Sequence, residues 1–244
     1  MSSEVVSSAR EALPARYLLL TIHYSLLTRV MADSTSTQDR ILDAALRLAP
    51  DRRWTEITLR DIAAEAGLSL AELNEAVASR AAILSLFNRR IDQRMLAALD
   101  QDPVTGDAHD RIFEVLMRRL EVMAPYRAAV ASIISDPSTL LDDPPETASS
   151  VGRSLGWVLA AAGLEDSGSR EMIKRLGLAA IYRRVLGVWV EDDDPGLART
   201  MATLDRALRD GETWLKRLAP ALSLAGAVGS AARAMMRGRR RPAA

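Results

Sequence analysis

The stretch TLRDIAAEAGLSLAELNEAV, residues 58–77, decides the fold. Thr58 is followed three residues later by Asp61, and Ser69 by Glu72. A hydroxyl residue with an acid at that spacing is the mark of a capping box that opens a helix. Leu59, Ile62, Ala63 and Ala66 recur at helical spacing, as do Leu70, Leu73 and Val77, which places both sets inward. Gly67 stands between the two runs, where a helix ends on a residue of positive φ. Ala63 is small where the helices would cross, and Leu68 plugs the corner. Two short helices joined by a tight glycine turn, after a longer helix, form a helix-turn-helix. An ordinary helical hairpin is the competing reading of the same pattern.

Working outward, residues 37–48 (TQDRILDAALRL) read as an amphipathic helix with a Ser/Thr start signal, ended by Pro50. Trp54 and Ile57 in the connection are expected to pack beneath it. Ser79 restarts the chain into a helix over about 80–99. A linker with Pro, Gly and acids follows at 100–110. The second half reads as helices near 110–123, 126–135, 146–163, 168–190, 195–218 and 221–237.

Composition agrees with an all-α protein: Ala, Leu and Arg dominate, aromatics are 4%, and β-branched runs are scarce. The chain has no cysteine, which excludes disulfides and thiolate metal sites and is consistent with a cytoplasmic setting. Its 32 basic and 32 acidic residues cancel, so any nucleic-acid-binding surface must be local. No apolar run reaches the ~20 residues that span a bilayer. Residues 1–30 are expected to be a leader, either a disordered extension or a reading frame begun too early, with Met31 as the alternative start. An organelle-targeting segment is a further reading of this stretch.

The sequence from Arg40 to Phe87 resembles the N-terminal domain of TetR-family transcriptional regulators. The pieces that carry the resemblance are ILDAA at 41–45, TLRDIAAEAGLS at 58–69, Leu73, and SRAAIL at 79–84. The resemblance implies a homodimer in which the helix after Ser69 reads the major groove of double-stranded DNA. Thr58 and Arg60 would then approach phosphate, with Arg80 near the same backbone. Ser69, Leu70, Ala71, Glu72, Asn74 and Glu75 would face bases or backbone. The chain departs from the family pattern at Asn74, where an aromatic is usual, and in the two carboxylates on the reading helix. Between residues 37 and 90 eight arginines are offset by eight acids. DNA affinity depends on phosphate neutralisation, so a retained fold with lost DNA contact stands beside the regulator.

The second half is similar to the C-terminal domain of the lipid-binding accessory protein of coenzyme Q biosynthesis, itself a TetR-fold family. The matching pieces are LAAIY at 178–182, Trp189, the D-x-D-P turn at 192–195, and T-x-x-x-L-D-R-x-L at 200–208. The resemblance implies a helical domain around a small apolar ligand, lipid or isoprenoid. Leu155, Trp157, Leu159, Tyr182, Val185, Leu186 and Trp189 are the candidate lining, with plain core packing as the alternative. The tail after 219 ends in RGRRRP with no acid beyond Glu212, which suggests peripheral contact with anionic lipid, a disordered tail that adds nonspecific affinity for nucleic acid, or a plain solvated tail.

The domain plan is thus a helix-turn-helix unit at 35–99, a ligand-binding and dimerisation domain at 100–218, and an amphipathic basic tail at 219–244. No catalytic set, phosphate loop or dinucleotide fingerprint is visible, and neither a cofactor nor a metal is expected. The acidic run 191–194 reads as a solvated loop that starts a helix. Two functions lead, with a pure protein–protein adaptor as a third. One is a transcriptional regulator controlled by an apolar effector. The other is a lipid- or isoprenoid-binding accessory protein that has abandoned DNA.

Overall fold

The computed structural model describes residues 37–136, 139 and 143–214, and every described element is helical. The expected leader at 1–30, the helix at 221–237 and the basic tail lie outside the described residues. Helix α1 covers 37–48. It buries Ile41, Leu42, Ala45 and Leu46, with Trp54 and Ile57 packed beneath as the pattern implied. A 3-10 turn at Trp54–Glu56 leads into α2, Leu59–Ala66, and α3, Leu70–Ala76.

Both capping boxes form. The Asp61 N–H donates to Thr58 Oγ1 at 3.1 Å while the Thr58 N–H donates to Asp61 Oδ2 at 2.9 Å. Ser69 and Glu72 repeat the exchange at 3.2 and 2.8 Å. Gly67 adopts φ 64°. The Leu68 N–H reaches the Ala63 carbonyl at 2.9 Å and the Gly67 N–H that of Ala64 at 3.1 Å. This pair of bonds is the Schellman motif, which satisfies carbonyls that the helix end would leave bare.

Helix α4 runs Arg80–Gln101 and α5 Ala108–Met123. A 3-10 turn at Ala124–Tyr126, carrying Pro125, leads into α6, Arg127–Ser135. Helix α7 is Pro144–Ala161, α8 Ser169–Trp189, and α9 covers 198–214. Proline in the first turn of α7 is tolerated because its missing N–H is an orphan there anyway. Helix α4 is shared between the two parts of the molecule. Its first turns bury Ile83 and Phe87 in the same core as α1, and its flank packs on α5 and α7. Ser85 Oγ donates to Glu146 Oε1 at 2.5 Å and Asn88 Nδ2 to Ser150 Oγ at 3.0 Å, fixing α4 to α7.

The acidic turn after α8 departs from expectation. Asp192 is fully buried rather than solvated. Its Oδ2 accepts from the Thr200 N–H at 2.8 Å and from Thr200 Oγ1 at 2.7 Å. The Thr200 hydroxyl, the larger influence, and the Thr200 N–H hold this carboxyl below the usual range. Asp192 thereby ties the end of α8 to the start of α9. Asp194 does what the acidic run was expected to do: its carboxylate accepts from the Ala198 N–H at the head of α9.

Candidate ligand groove and helix-turn-helix face

Helix α3 presents Leu70, Ala71, Asn74 and Glu75 to solvent. Leu73 and Val77 are buried as expected, but Leu70 is 43% exposed. Leu70 is the first helical residue. Glu72 is bound to its own cap: Oε2 accepts from the Ser69 N–H and hydroxyl, and these bonds, the backbone one first, hold its carboxyl below the usual range. It is therefore an anion at neutral pH, with Arg40 as the nearby cation that also lowers its pKa.

The arginines around this face are largely occupied by the protein itself. Arg40 Nη2 donates to the carbonyls of Ala66 and Gly67 at 2.8 and 3.2 Å, bracing the turn. Arg47 pairs with Glu65 at 2.7 Å and Arg90 with Asp39 and Asp43. Arg52 donates to the Glu56 carbonyl at 2.8 Å and to Asp61 at 3.3 Å. Arg80, expected near phosphate, donates through Nη1 to the carbonyls of Trp54, Thr55 and Ile57 at 3.2, 2.9 and 3.0 Å. It clamps the connection between α1 and α2. Thr58 is exposed but engaged as the α2 cap. Arg60 and Arg89 are exposed and form no hydrogen bond or ion pair among the described residues.

The other feature of note is a groove of about 1040 Å³ between the first turn of α5, the end of α7, and the facing sides of α8 and α9. Its wall is apolar: Ile112, Leu159, Leu164, Ile173, Leu178, Ile181, Leu208 and Trp214. Gly177, Ala180 and Gly211 supply no bulk, and a Cβ at Gly177 would meet nothing within 4 Å. Polar groups stand at the rim: Asp107, His109, Lys174, Arg184, Asp210 and Glu212. Lys174 is held by the Leu164 carbonyl at 2.9 Å and by Asp166 at 3.3 Å. Such a concave apolar space with a few convergent polar groups is the general form of a small-molecule site.

Of the lining expected from sequence, Leu159 is in the groove. Leu155, Val185 and Trp189 are core residues, and the Arg127 guanidinium lies over the Trp189 ring at 4.9 Å. Leu186 is half-buried against the same core. Tyr182 turns inward, where its hydroxyl accepts from Arg119 Nε at 2.9 Å. Trp157 is 54% exposed and outside the groove. The face that does line the groove is Ile173, Gly177, Ala180, Ile181 and Arg184, a regular helical stripe on α8. Sequence reading passed over it because its glycine and alanine break the run of large side chains. Among the described residues no cluster of His, Asp and Glu is placed to hold a metal, and no helix is long and apolar enough to cross a membrane.

The COQ9 family model matches residues 145–214, the segment from α7 through α9 that supplies most of the groove. No curated protein sequence matches the chain. A TetR transcriptional regulator from Nitrosomonas europaea ATCC 19718 superposes with a TM-score of 0.53 and 27% identity, covering 73% of this chain and 98% of that one. A TetR transcriptional regulator from Rhodococcus sp. RHA1 does so with a TM-score of 0.54 and 19% identity, covering 72% and 95%. The fold is TetR-like and all-α, and the C-terminal half is COQ9-like.

Proposed function

From a TetR-fold chain with a COQ9-like C-terminal half, we propose that this protein binds a long apolar molecule, a lipid or isoprenoid, in the groove between α5, α7, α8 and α9. It acts as a binding accessory protein rather than by chemistry of its own. The observation that carries the reading is the groove itself: about 1040 Å³ with an almost wholly apolar wall, lying largely within the COQ9-like segment. Burying apolar surface is worth roughly 25 cal/mol per Å², so such a wall selects a ligand by its hydrocarbon. The helix-turn-helix face agrees with this reading. A DNA reader neutralises phosphates with Lys and Arg, whereas α3 carries Glu72 and Glu75 and the nearby arginines brace the fold.

A second reading, a dimeric transcriptional regulator, has its own support in the intact helix-turn-helix, in exposed Arg60 and Arg89, and in the TetR regulators that share the fold. There the same groove would take an effector that shifts the population of DNA-competent dimers. Self-association has a surface available on α8, where Met172 and Leu176 are each 65% exposed. Native mass spectrometry of the protein from its own cells, paired with pull-down of genomic fragments at stepped salt, separates the readings. A co-purified lipid without enriched DNA supports the first. A discrete, salt-sensitive DNA site supports the second.

A further inference from the structure

We infer that His109 is the positioning residue of the groove: a protonated imidazole that clasps α9 to α5, so that the α9 wall is held by one proton. The inference rests on the groove reading for its consequence but not for its mechanism. His109 sits in the first turn of α5 and is 17% exposed. Its Nε2 lies 3.0 Å from Asp205 Oδ1 and its Nδ1 3.3 Å from Glu212 Oε1, both on α9. A neutral imidazole has one N–H, so it can satisfy one of these carboxylates while its other nitrogen turns a lone pair onto the second. Only the imidazolium donates to both.

The surrounding charges keep the Asp205 acceptor ionised. Arg209 donates to Asp205 at 3.0 and 3.1 Å and, with His109, holds the Asp205 carboxyl below the usual range. At the head of α5, the cap residue Asp107 accepts from the His109 and Asp110 N–H groups at 2.8 and 3.0 Å, and Arg111 follows. Asp210 of α9 and Lys174 and Arg184 of α8 line the same groove. Helix α7 contributes apolar Leu159 to that wall. The clasp matters because α9 supplies Ala207, Leu208, Gly211 and Trp214 to the groove. Histidine changes charge between about pH 5 and 8. The clasp is complete on the acid side of that change and loses one arm as pH rises through it. The groove then loosens on the α9 side.

The test uses the full chain in three forms: wild type, His109→Gln, and Asp205→Asn, which removes the negative charge of one acceptor and leaves the histidine. Hydrogen exchange of α9 amides, corrected for intrinsic rates, is followed from pH 5.5 to 8.5. The His109 ring is followed by NMR, with the His109→Gln spectrum distinguishing it from His23. Binding of the neutral apolar dye N-phenyl-1-naphthylamine is measured in parallel. The expected result is a fall in α9 protection of about three- to tenfold as the ring deprotonates in wild type, the scale of one charge-assisted hydrogen bond between partly exposed groups. That fall is smaller in Asp205→Asn and absent in His109→Gln, and dye affinity follows protection. If α9 protection tracks the ring but the dye binds at no pH, the clasp stands and the groove reading fails. If the ring titrates while α9 protection stays flat, or if His109→Gln shows the wild-type profile, the clasp is refuted.

Discussion

Replacing Arg119 with methionine tests how the C-terminal half is held together. Arg119 is on α5 and is 2% exposed. Its guanidinium pairs with Asp92 of α4 through Nη1 and donates to the Tyr182 hydroxyl of α8 at 2.9 Å. Ser154 of α7 donates to the same Asp92 oxygen at 2.7 Å, and the Tyr182 hydroxyl points on to Met123 Sδ at 3.1 Å. Four helices therefore meet on one buried ion pair. Methionine fills much of the volume but leaves the Asp92 carboxylate in the interior with Ser154 as a donor. Breaking a buried pair from one side costs about 3–5 kcal/mol, because a charge is left without its counterion. For a chain of this size each kcal/mol moves Tm by roughly 2–4 °C, so Arg119→Met should melt about 6–20 °C lower. The double variant Arg119→Met, Asp92→Leu removes both charges and should recover most of the loss. Calorimetry and urea denaturation read both. A loss under about 1 kcal/mol for the single variant, or no recovery in the double, would show that this pair is hydrated and not the joint described.

The other expectations are smaller in scope. Gly67→Ala puts a Cβ at φ 64° and should cost about 1–2 kcal/mol, read by chemical denaturation, with α2–α3 amides losing protection first. Asp61 and Glu72 are both held below ordinary carboxylate values by their capping boxes, the backbone N–H bonds first. Their stabilisation is therefore complete above the ordinary carboxylate range and is lost as pH falls through their depressed folded-state values. A Thr58→Ala, Ser69→Ala variant should show a weaker acid dependence of stability over that window. Trp157→Ser, on the exposed face of α7, should leave stability within about 0.5 kcal/mol and dye binding unchanged.

The helix-turn-helix was legible almost residue by residue because its signals are local. Capping boxes, a glycine of positive φ and a Schellman turn are each decided within six residues. Leu70 escaped because α3 is one seven-residue stretch, too short for periodicity to tell the covered side from its edge. Arg80 was read as a surface cation because nothing local shows that the loop carbonyls of residues 54–57 fold back onto it. The groove was harder. Its wall combines α5, α7, α8 and α9, and sequence spacing ranks large side chains, which on α8 mark the core side through Tyr182, Val185 and Trp189. The opposite stripe of Ile173, Gly177, Ala180 and Ile181 is informative for what it lacks, since missing side chains leave the space. Asp192 shows the converse. A residue in an acidic run reads as solvated until Thr200, eight residues on, is seen to bury it.

The most direct measurement is ligand occupancy in wild type and Gly177→Phe, by native mass spectrometry and by titration with N-phenyl-1-naphthylamine. The new ring would enter the groove from a position whose Cβ meets nothing, and it replaces a mid-helix glycine, so the fold should be no less stable. Wild type is predicted to carry an apolar molecule or take up the dye, and Gly177→Phe to do neither while melting at or above the wild-type temperature. Equal occupancy in the two proteins would contradict the claim that this groove is the binding site.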